Sequence, residues 1–250
     1  MKKRILLYDF LVAGLFLLQS NSIIAQHTEF SLMGGTGLFH YKTANAKEPY
    51  YSTIVLSSES NSNYANNPYG DKNGYSYQLS FELKKVTKSK IMWGSGLEFE
   101  SVQSKKNINW VFGPSYSDNF REAQGHCTLE NKFLSVSPFI AYRFNLQKFY
   151  WDMMVGPDIA IGISPVHQQG MAIITSNGEA VYVDQKSHAT AGYDPFEVRA
   201  RLQTELGYKK WGLYLGYSWG FYKGHLVAIG GTPLYSFSRY FRVGVLYRLK

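Results

Sequence analysis

Between residues 149 and 163 the chain alternates strictly: Trp151, Met153, Val155, Pro157, Ile159, Ile161 and Ile163 hold one phase, and Asp152, Met154, Gly156, Asp158, Ala160 and Gly162 the other. A period of two sorts side chains onto the opposite faces of an extended strand, which a helical period cannot do. Residues 196–208 repeat it, with Phe196, Val198, Ala200, Leu202 and Leu206 against Glu197, Arg199, Arg201, Gln203 and Glu205. From Trp211, the set Leu213, Leu215, Tyr217, Trp219 and Phe221 opposes Gly212, Gly216, Ser218 and Gly220. Near the end, Phe241, Val243, Val245, Tyr247 and Leu249 alternate with Tyr240, Arg242, Gly244 and Arg248. Residues 134–144, 91–99, 75–83 and 30–38 read the same way less sharply, which predicts eight strands. Each is about 10 residues or more, long for a soluble sheet and suited to a tilted strand crossing a bilayer.

The connectors alternate as well. Those at 86–89, 145–147 and 209–210 are tight, whereas 42–73, 105–128, 165–193 and 224–236 are long, the loop pattern of an up-and-down membrane barrel. A soluble sandwich or lipocalin-type barrel also alternates, so the direction of the apolar face decides between them. An eight-stranded interior holds only a modest set of side chains. The broad Trp, Phe, Ile, Leu and Tyr faces would overfill it, while the opposite faces are rich in Gly and Ser around a few charges. The apolar faces are therefore expected outward, against lipid. The composition agrees, with aromatics at 16% and charged residues at only 18%, where soluble globules carry about a quarter charged.

The N-terminus reads as a cleaved signal peptide over residues 1–25: Met1-Lys2-Lys3-Arg4 is a basic start, 10–18 an apolar core and 19–25 a polar exit. Cutting after Ala25 removes three positive charges and one negative, so the formal +8 of the whole chain falls to +6. Residues 26–250 then form the barrel. The single Cys, Cys127, excludes both a lipid anchor at the cut and a disulfide framework.

On these residues, namely the leader, the strand-and-Gly pattern of 151–163 and the closing stretch 240–250, the chain resembles the small eight-stranded outer-membrane barrels of diderm bacteria, of the OmpA, OmpX and PorT-like type. The last strand resembles those presented to the barrel-insertion machinery, although Leu249-Lys250 stand in place of a terminal aromatic. The resemblance implies an all-β, eight-stranded antiparallel up-and-down transmembrane barrel in the outer membrane, in contact with its lipids. It implies periplasmic termini and extracellular long loops. It names no activity, because the class includes anchors, adhesins, enzymes and secretion-machine parts.

Chemistry is sparse. A barrel enzyme acting on lipid A or peptides needs a nucleophile with His beside it at the rim. His40 and His225 lie near outer strand ends, but neither has a His-x-Ser arrangement, so no catalytic residue is assigned. His126 and Cys127 are adjacent in an expected loop and would point to opposite sides. Gly34-Gly35-Thr36-Gly37 lies inside a strand with no helix behind it, which indicates close packing rather than phosphate binding. No cofactor or metal site is expected. The positive charge gathers at the tight turns, with Lys84, Lys85, Lys88, Lys90, Arg143, Lys148, Lys209, Lys210, Arg248 and Lys250 and Glu82 as the nearest acid, while the long loops are near neutral. Such a basic periplasmic collar suits anionic lipid heads or an acidic periplasmic protein and does not indicate nucleic acid.

The Ser, Asn, Tyr and Gly of residues 57–74 have the composition of adaptable contact loops, so an extracellular protein partner is the other candidate. Residues 171–175 and 180–184 flank a hairpin tip at Asn177-Gly178 that should extend the wall above the membrane. Trp93, Trp151, Trp211, Trp219 and Tyr247 are expected as a lipid-facing girdle. Trp110 is expected in a loop. Glu98, Asp158, Arg199, Arg201 and Arg242 should share the middle of the lumen and pair there, plugging it. The reading is a non-enzymatic barrel acting through loops or collar, with an outer-leaflet lipid-modifying enzyme and a narrow channel for small or hydrophobic solutes as alternatives.

Overall fold

The computed structural model describes residues 25–44, 52–55, 64–65, 69–112, 121–176, 179–189, 196–221, 224–227 and 233–249. The expected leader, Ala25 apart, the hairpin tip Asn177-Gly178 and Lys250 lie outside the described residues. In chain order the strands are β1 (Ala25–Ala44), β2 (Ser52–Val55), β3 (Tyr64–Ala65), β4 (Lys72–Thr87), β5 (Ile91–Phe112), β6 (Arg121–Leu146), β7 (Phe149–Gly162), β8 (Val166–Ser176), β9 (Glu179–Ala189), β10 (Phe196–Tyr208), β11 (Trp211–Gly220), β12 (Gly224–Val227) and β13 (Pro233–Arg248).

Eight of these close a ring. β1 pairs with β4, β4 with β5, β5 with β6, β6 with β7, β7 with β10, β10 with β11, β11 with β13, and β13 returns to β1, every pairing antiparallel. Leaving aside β2, β3, β8, β9 and β12, which lie off the ring, neighbours in space are successive in sequence, so the barrel is an up-and-down meander. Closure leaves no sheet edge, which is what lets a β-structure satisfy its backbone within hydrocarbon.

The two faces separate as the alternation requires. In β4, Tyr75, Tyr77, Leu79 and Phe81 are exposed while Ser76, Gln78, Ser80 and Glu82 are buried. In β11, Trp211, Leu213, Leu215, Tyr217 and Trp219 are exposed around buried Tyr214 and Ser218. Large apolar side chains outside and ionic ones inside invert the arrangement of a soluble protein, and hydrocarbon outside is the solvent that stabilises it. The fold is a transmembrane β-barrel.

Three tight turns join strands at one end of the ring, and each holds one residue in the left-handed region, Lys90 (φ 66°), Gln147 (φ 53°) and Lys209 (φ 53°). The first turn is fastened by the Lys90 amide donating to the Thr87 carbonyl at 3.1 Å and the Thr87 hydroxyl to the Ile91 carbonyl at 2.7 Å.

The opposite end differs from the loops expected there. Residues 105–128 are largely paired strand: β5 continues to Phe112 and β6 starts at Arg121, with Lys105 opposite Thr128 and Trp110 opposite Glu122. Trp110 is thus in a strand and not in a loop, and it also faces Thr53 of β2, which runs parallel to β5. His126 and Cys127 lie in β6, on opposite faces, the Cys buried and the His exposed. The 165–193 connection, by contrast, agrees with the hairpin expected within it: β8 pairs with β6 and β9 with β8, with Ser176 opposite Glu179 at the end. β3, β2, β5, β6, β8 and β9 form one continuous sheet beyond the ring. Ile54, Ile108, Val111, Ala123, Cys127 and Ala172 make its own small core. Pairing there needs no lipid-facing stripe, which explains why alternation gave no sign of the continuation of β5 and β6 into it.

Candidate functional site

Among the described residues, the lumen holds the most extensive polar network. Its middle storey joins β5, β7, β10 and β13. Arg242 donates to Glu98 at 3.0 Å and to Asp158 at 3.1 Å, and lies 3.5 Å from Glu100. Arg199 donates to Glu100 at 2.7 Å and sits 3.1 Å from Asp158, while Arg201 pairs with Glu98. Ser218 and Ser137 add hydrogen bonds to the cluster, the Ser218 hydroxyl accepting from Arg242 at 2.6 Å, while Arg199 Nη1 and Arg242 Nε make none. Three arginines thus face three carboxylates, and Arg199, Arg242 and Asp158 are wholly shielded from solvent. Planar guanidinium forks suit such shared, bidentate geometry. Gly216 makes room for it: a Cβ there would stand 3.0 Å from the Arg242 side chain.

A second storey lies nearer the tight turns. Arg143 holds both oxygens of Glu29, at 2.6 and 2.8 Å, and both of Asp152, at 2.7 and 2.8 Å. Lys84 sits among Glu205, Glu82 at 2.9 Å and Asp152 at 3.5 Å. Arg248 reaches Glu29 at 3.1 Å and stacks over the Tyr150 ring at 4.0 Å. Gln203 links the storeys, accepting from Arg201 at 3.0 Å and donating to Glu205 at 2.8 Å.

Beyond the middle storey, toward the extended end, Phe39, Tyr41, Tyr69, Val102, Leu129, Phe133, Ala160 and Tyr240 pack as an aromatic layer across the lumen. Tyr41 donates to Glu197 at 3.1 Å there and accepts from Asn131 at 2.9 Å. On the other side Gly35 leaves space for Tyr214, whose hydroxyl would be 2.1 Å from an added Cβ. The Gly-rich run of β1 is therefore a contact for a ring.

Glu98, Asp158, Arg199, Arg201 and Arg242 are thus brought together. Glu29, Glu82, Lys84, Glu100, Arg143, Asp152 and Glu205 belong with them and were not assigned to the lumen network, although each is in the inward phase of its strand. The basic collar needs correction. Lys84 is 1% exposed and points into the barrel, so it belongs to the second storey, as do Arg143 and Glu82. The barrel interior extends almost to the turns, and phase outweighs nearness to a turn. Lys88, Lys90, Lys148, Lys209 and Lys210 are exposed at the turns, and Lys85 is half-buried with its ammonium 4.7 Å from the Trp93 ring.

Trp93, Trp151, Trp211 and Tyr247 stand outside at the turn end, where Trp151 meets Phe144 at 5.1 Å and Trp211 meets Tyr247 at 4.8 Å; Trp219 stands at the other end, 6.2 Å from Tyr217. At the rim, His40 meets Asn73 at 2.8 Å, and the His225 side chain lies outside the described residues. Among the described residues no group of three metal-ligating side chains converges.

No protein-family model matches the chain, and no curated protein matches its sequence. Several solved structures are similar in architecture. Neisserial surface protein A aligns over 89% of this chain and 99% of its own at 10% identity and a TM-score of 0.38. OprG from Pseudomonas aeruginosa aligns over 90% and 97% at 10% identity and a TM-score of 0.39. The outer membrane protease OmpT from Escherichia coli aligns over 88% and 97% at 9% identity and a TM-score of 0.36. These are likenesses of fold, to small outer-membrane β-barrels, and carry no argument about activity.

Proposed function

We propose that the chain is a non-enzymatic, plugged barrel of a diderm outer membrane, with termini and tight turns in the periplasm and the extended sheet outside the cell, and that it acts by binding a macromolecule at that outer sheet. The observation that carries the plugged state is the two-storey ion network. It spans the ring from Glu29 on β1 to Arg143 on β6 and from Glu98 on β5 to Arg242 on β13. Opening an axial pore would break these buried ion pairs, at several kcal/mol each. What supports the binding role is that β5 and β6 continue beyond the ring as a paired sheet with its own core, a platform able to hold contact residues in place. The turn-end lysines are the competing surface, suited to an acidic periplasmic component of a secretion machine. The last strand is the segment the insertion machinery would take.

Planar-bilayer recording of purified protein tests the plug: conductance far below that of a porin is expected, and a steady, large open state would replace this reading with the channel alternative. Crosslinking in cells, compared with a variant lacking residues 105–128, tests the surface. Loss of the crosslinked partner is expected. Retention of it, with loss on charge reversal of Lys88, Lys148 and Lys210, would move the function to the periplasmic side.

A further inference from the structure

The turn end of the barrel carries an unbalanced charge. Lys88, Lys90, Lys148, Lys209 and Lys210 are exposed there. The carboxylates nearest that end, Glu29, Glu82, Asp152 and Glu205, are buried and already held by Lys84, Arg143 and Arg248. Among the described residues, no exposed carboxylate stands at the turn end. The charge is closest set at the β7–β10 seam. Its last pair is Phe149 with Tyr208, and extending that register by one step sets Lys148 of one turn opposite Lys209 of the next. Neighbouring strands lie about 4.8 Å apart, and like charges opposite one another across that spacing repel. Lys209 also holds φ 53°, a conformation that glycine adopts at less cost. Two lysines thus stand together with no acid between them.

The wall beneath the pair is apolar and faces lipid. Phe149 and Tyr208 are 49% and 40% exposed with ring centroids 5.2 Å apart, and Trp151 opposite Leu206 continues the column. The Lys209 ammonium lies 5.3 Å from the centre of the Tyr208 ring, so it leans over the lipid side of the wall.

We infer that the turn end of the β7–β10 seam binds an anionic phospholipid whose headgroup carries no amine, with its phosphate between Lys148 and Lys209 and an acyl chain along Phe149, Tyr208, Trp151 and Leu206. One phosphate neutralises both ammonium groups and removes their repulsion. The class of lipid follows from the missing acids: a zwitterionic headgroup brings an ammonium of its own, which meets only lysines here. A lipid fits better than an acidic protein because the connections are tight, with Leu146 paired to Phe149 and Tyr208 to Trp211. The lysines therefore stand one residue from rings at the membrane interface, at headgroup depth. The leaflet rests on the proposed orientation, since turns in the periplasm place this lipid in the periplasmic leaflet. Binding itself is read in symmetric vesicles, where either orientation gives the same signal.

The test uses full-length protein in which Trp151 is the only tryptophan, folded into phosphatidylcholine vesicles. A small fraction of the lipid is phosphatidylglycerol or phosphatidylcholine brominated near the glycerol end of one acyl chain, and quenching of Trp151 gives relative occupancy. Phosphatidylglycerol should be preferred about fivefold or more, the effect of at least one lysine at a charged headgroup. Lys148→Gln/Lys209→Gln should bring that preference to within about twofold of phosphatidylcholine, whereas Lys88→Gln/Lys90→Gln, at the other side of the ring, should leave it unchanged. If the first double variant does not insert, Lys148→Gln alone should give an intermediate preference. Equal quenching by the two lipids would overturn the inference and leave the lysines to an acidic protein. Equal loss in the two double variants would replace the site with diffuse charge, and an equal preference for brominated phosphatidylethanolamine would overturn the exclusion of amines. None of these outcomes depends on which macromolecule the outer sheet binds.

Discussion

Arg242→Ala removes the side chain that meets all three middle-storey carboxylates. In the variant Glu98 keeps Arg201, and Glu100 and Asp158 keep Arg199, so three buried carboxylates share two guanidinium groups. Each lost charge-assisted bond is worth about 1.5–3 kcal/mol. Part of that returns because Arg242 no longer has to be held out of water, and the net loss from breaking a buried ionic cluster is about 3–5 kcal/mol. The void beside Gly216 adds to it, since a glycine cannot fill the space. Adding Glu98→Gln restores balance at two and two, and should recover about 1–2 kcal/mol although Glu98→Gln alone destabilises. The assay is urea unfolding of folded protein in phospholipid vesicles, followed by tryptophan fluorescence and by gel migration without boiling. A loss under about 1 kcal/mol for Arg242→Ala, or a double variant no more stable than the single, would refute the charge-balance argument.

Lys84→Met should destabilise by about 3–5 kcal/mol while Lys88→Met stays within about 0.5 kcal/mol, and equal effects in parallel unfolding curves would return Lys84 to the surface collar. Lys209→Gly should raise stability by about 0.5–1 kcal/mol, because Lys209 sits at φ 53°, whereas Lys210→Gly should give no gain. In single-tryptophan variants, brominated acyl chains should quench Trp93, Trp151, Trp211 and Trp219 and spare Trp110; quenching of Trp110 to the same depth would put the extended sheet in the bilayer.

The sequence by itself determined the strands, their phase and which face meets lipid, because the medium outside imposes a rule on every second residue. Trp151, Leu213 and Val243 obey it without regard to their neighbours. It also determined that Arg199, Arg201 and Arg242 point inward together, since phase and distance from a turn are both countable. Tertiary structure decided what phase leaves free. Residues 103–112 and 121–130 lie outside the lipid-facing stripe, so no apolar alternation marks them, and only their pairing with each other and with β2 and β8 makes them a sheet. Lys84 has the inward phase but stands near a turn. Its placement was settled by where the barrel interior ends, which depends on Glu29 and Gly94 standing beside it in the adjacent strands. The partners within the network were beyond local reading for the same reason. Arg143 meets Glu29 only because the ring closes between strands more than 100 residues apart in the chain. The gap in the β6–β7 pairing was written in the sequence as two prolines, Pro138 and Pro157, but each alone reads as an ordinary outward residue. Register placed them opposite one another, and with no amide hydrogen on either, the cross-strand pairing lapses between Val136–Ile159 and Ile140–Val155.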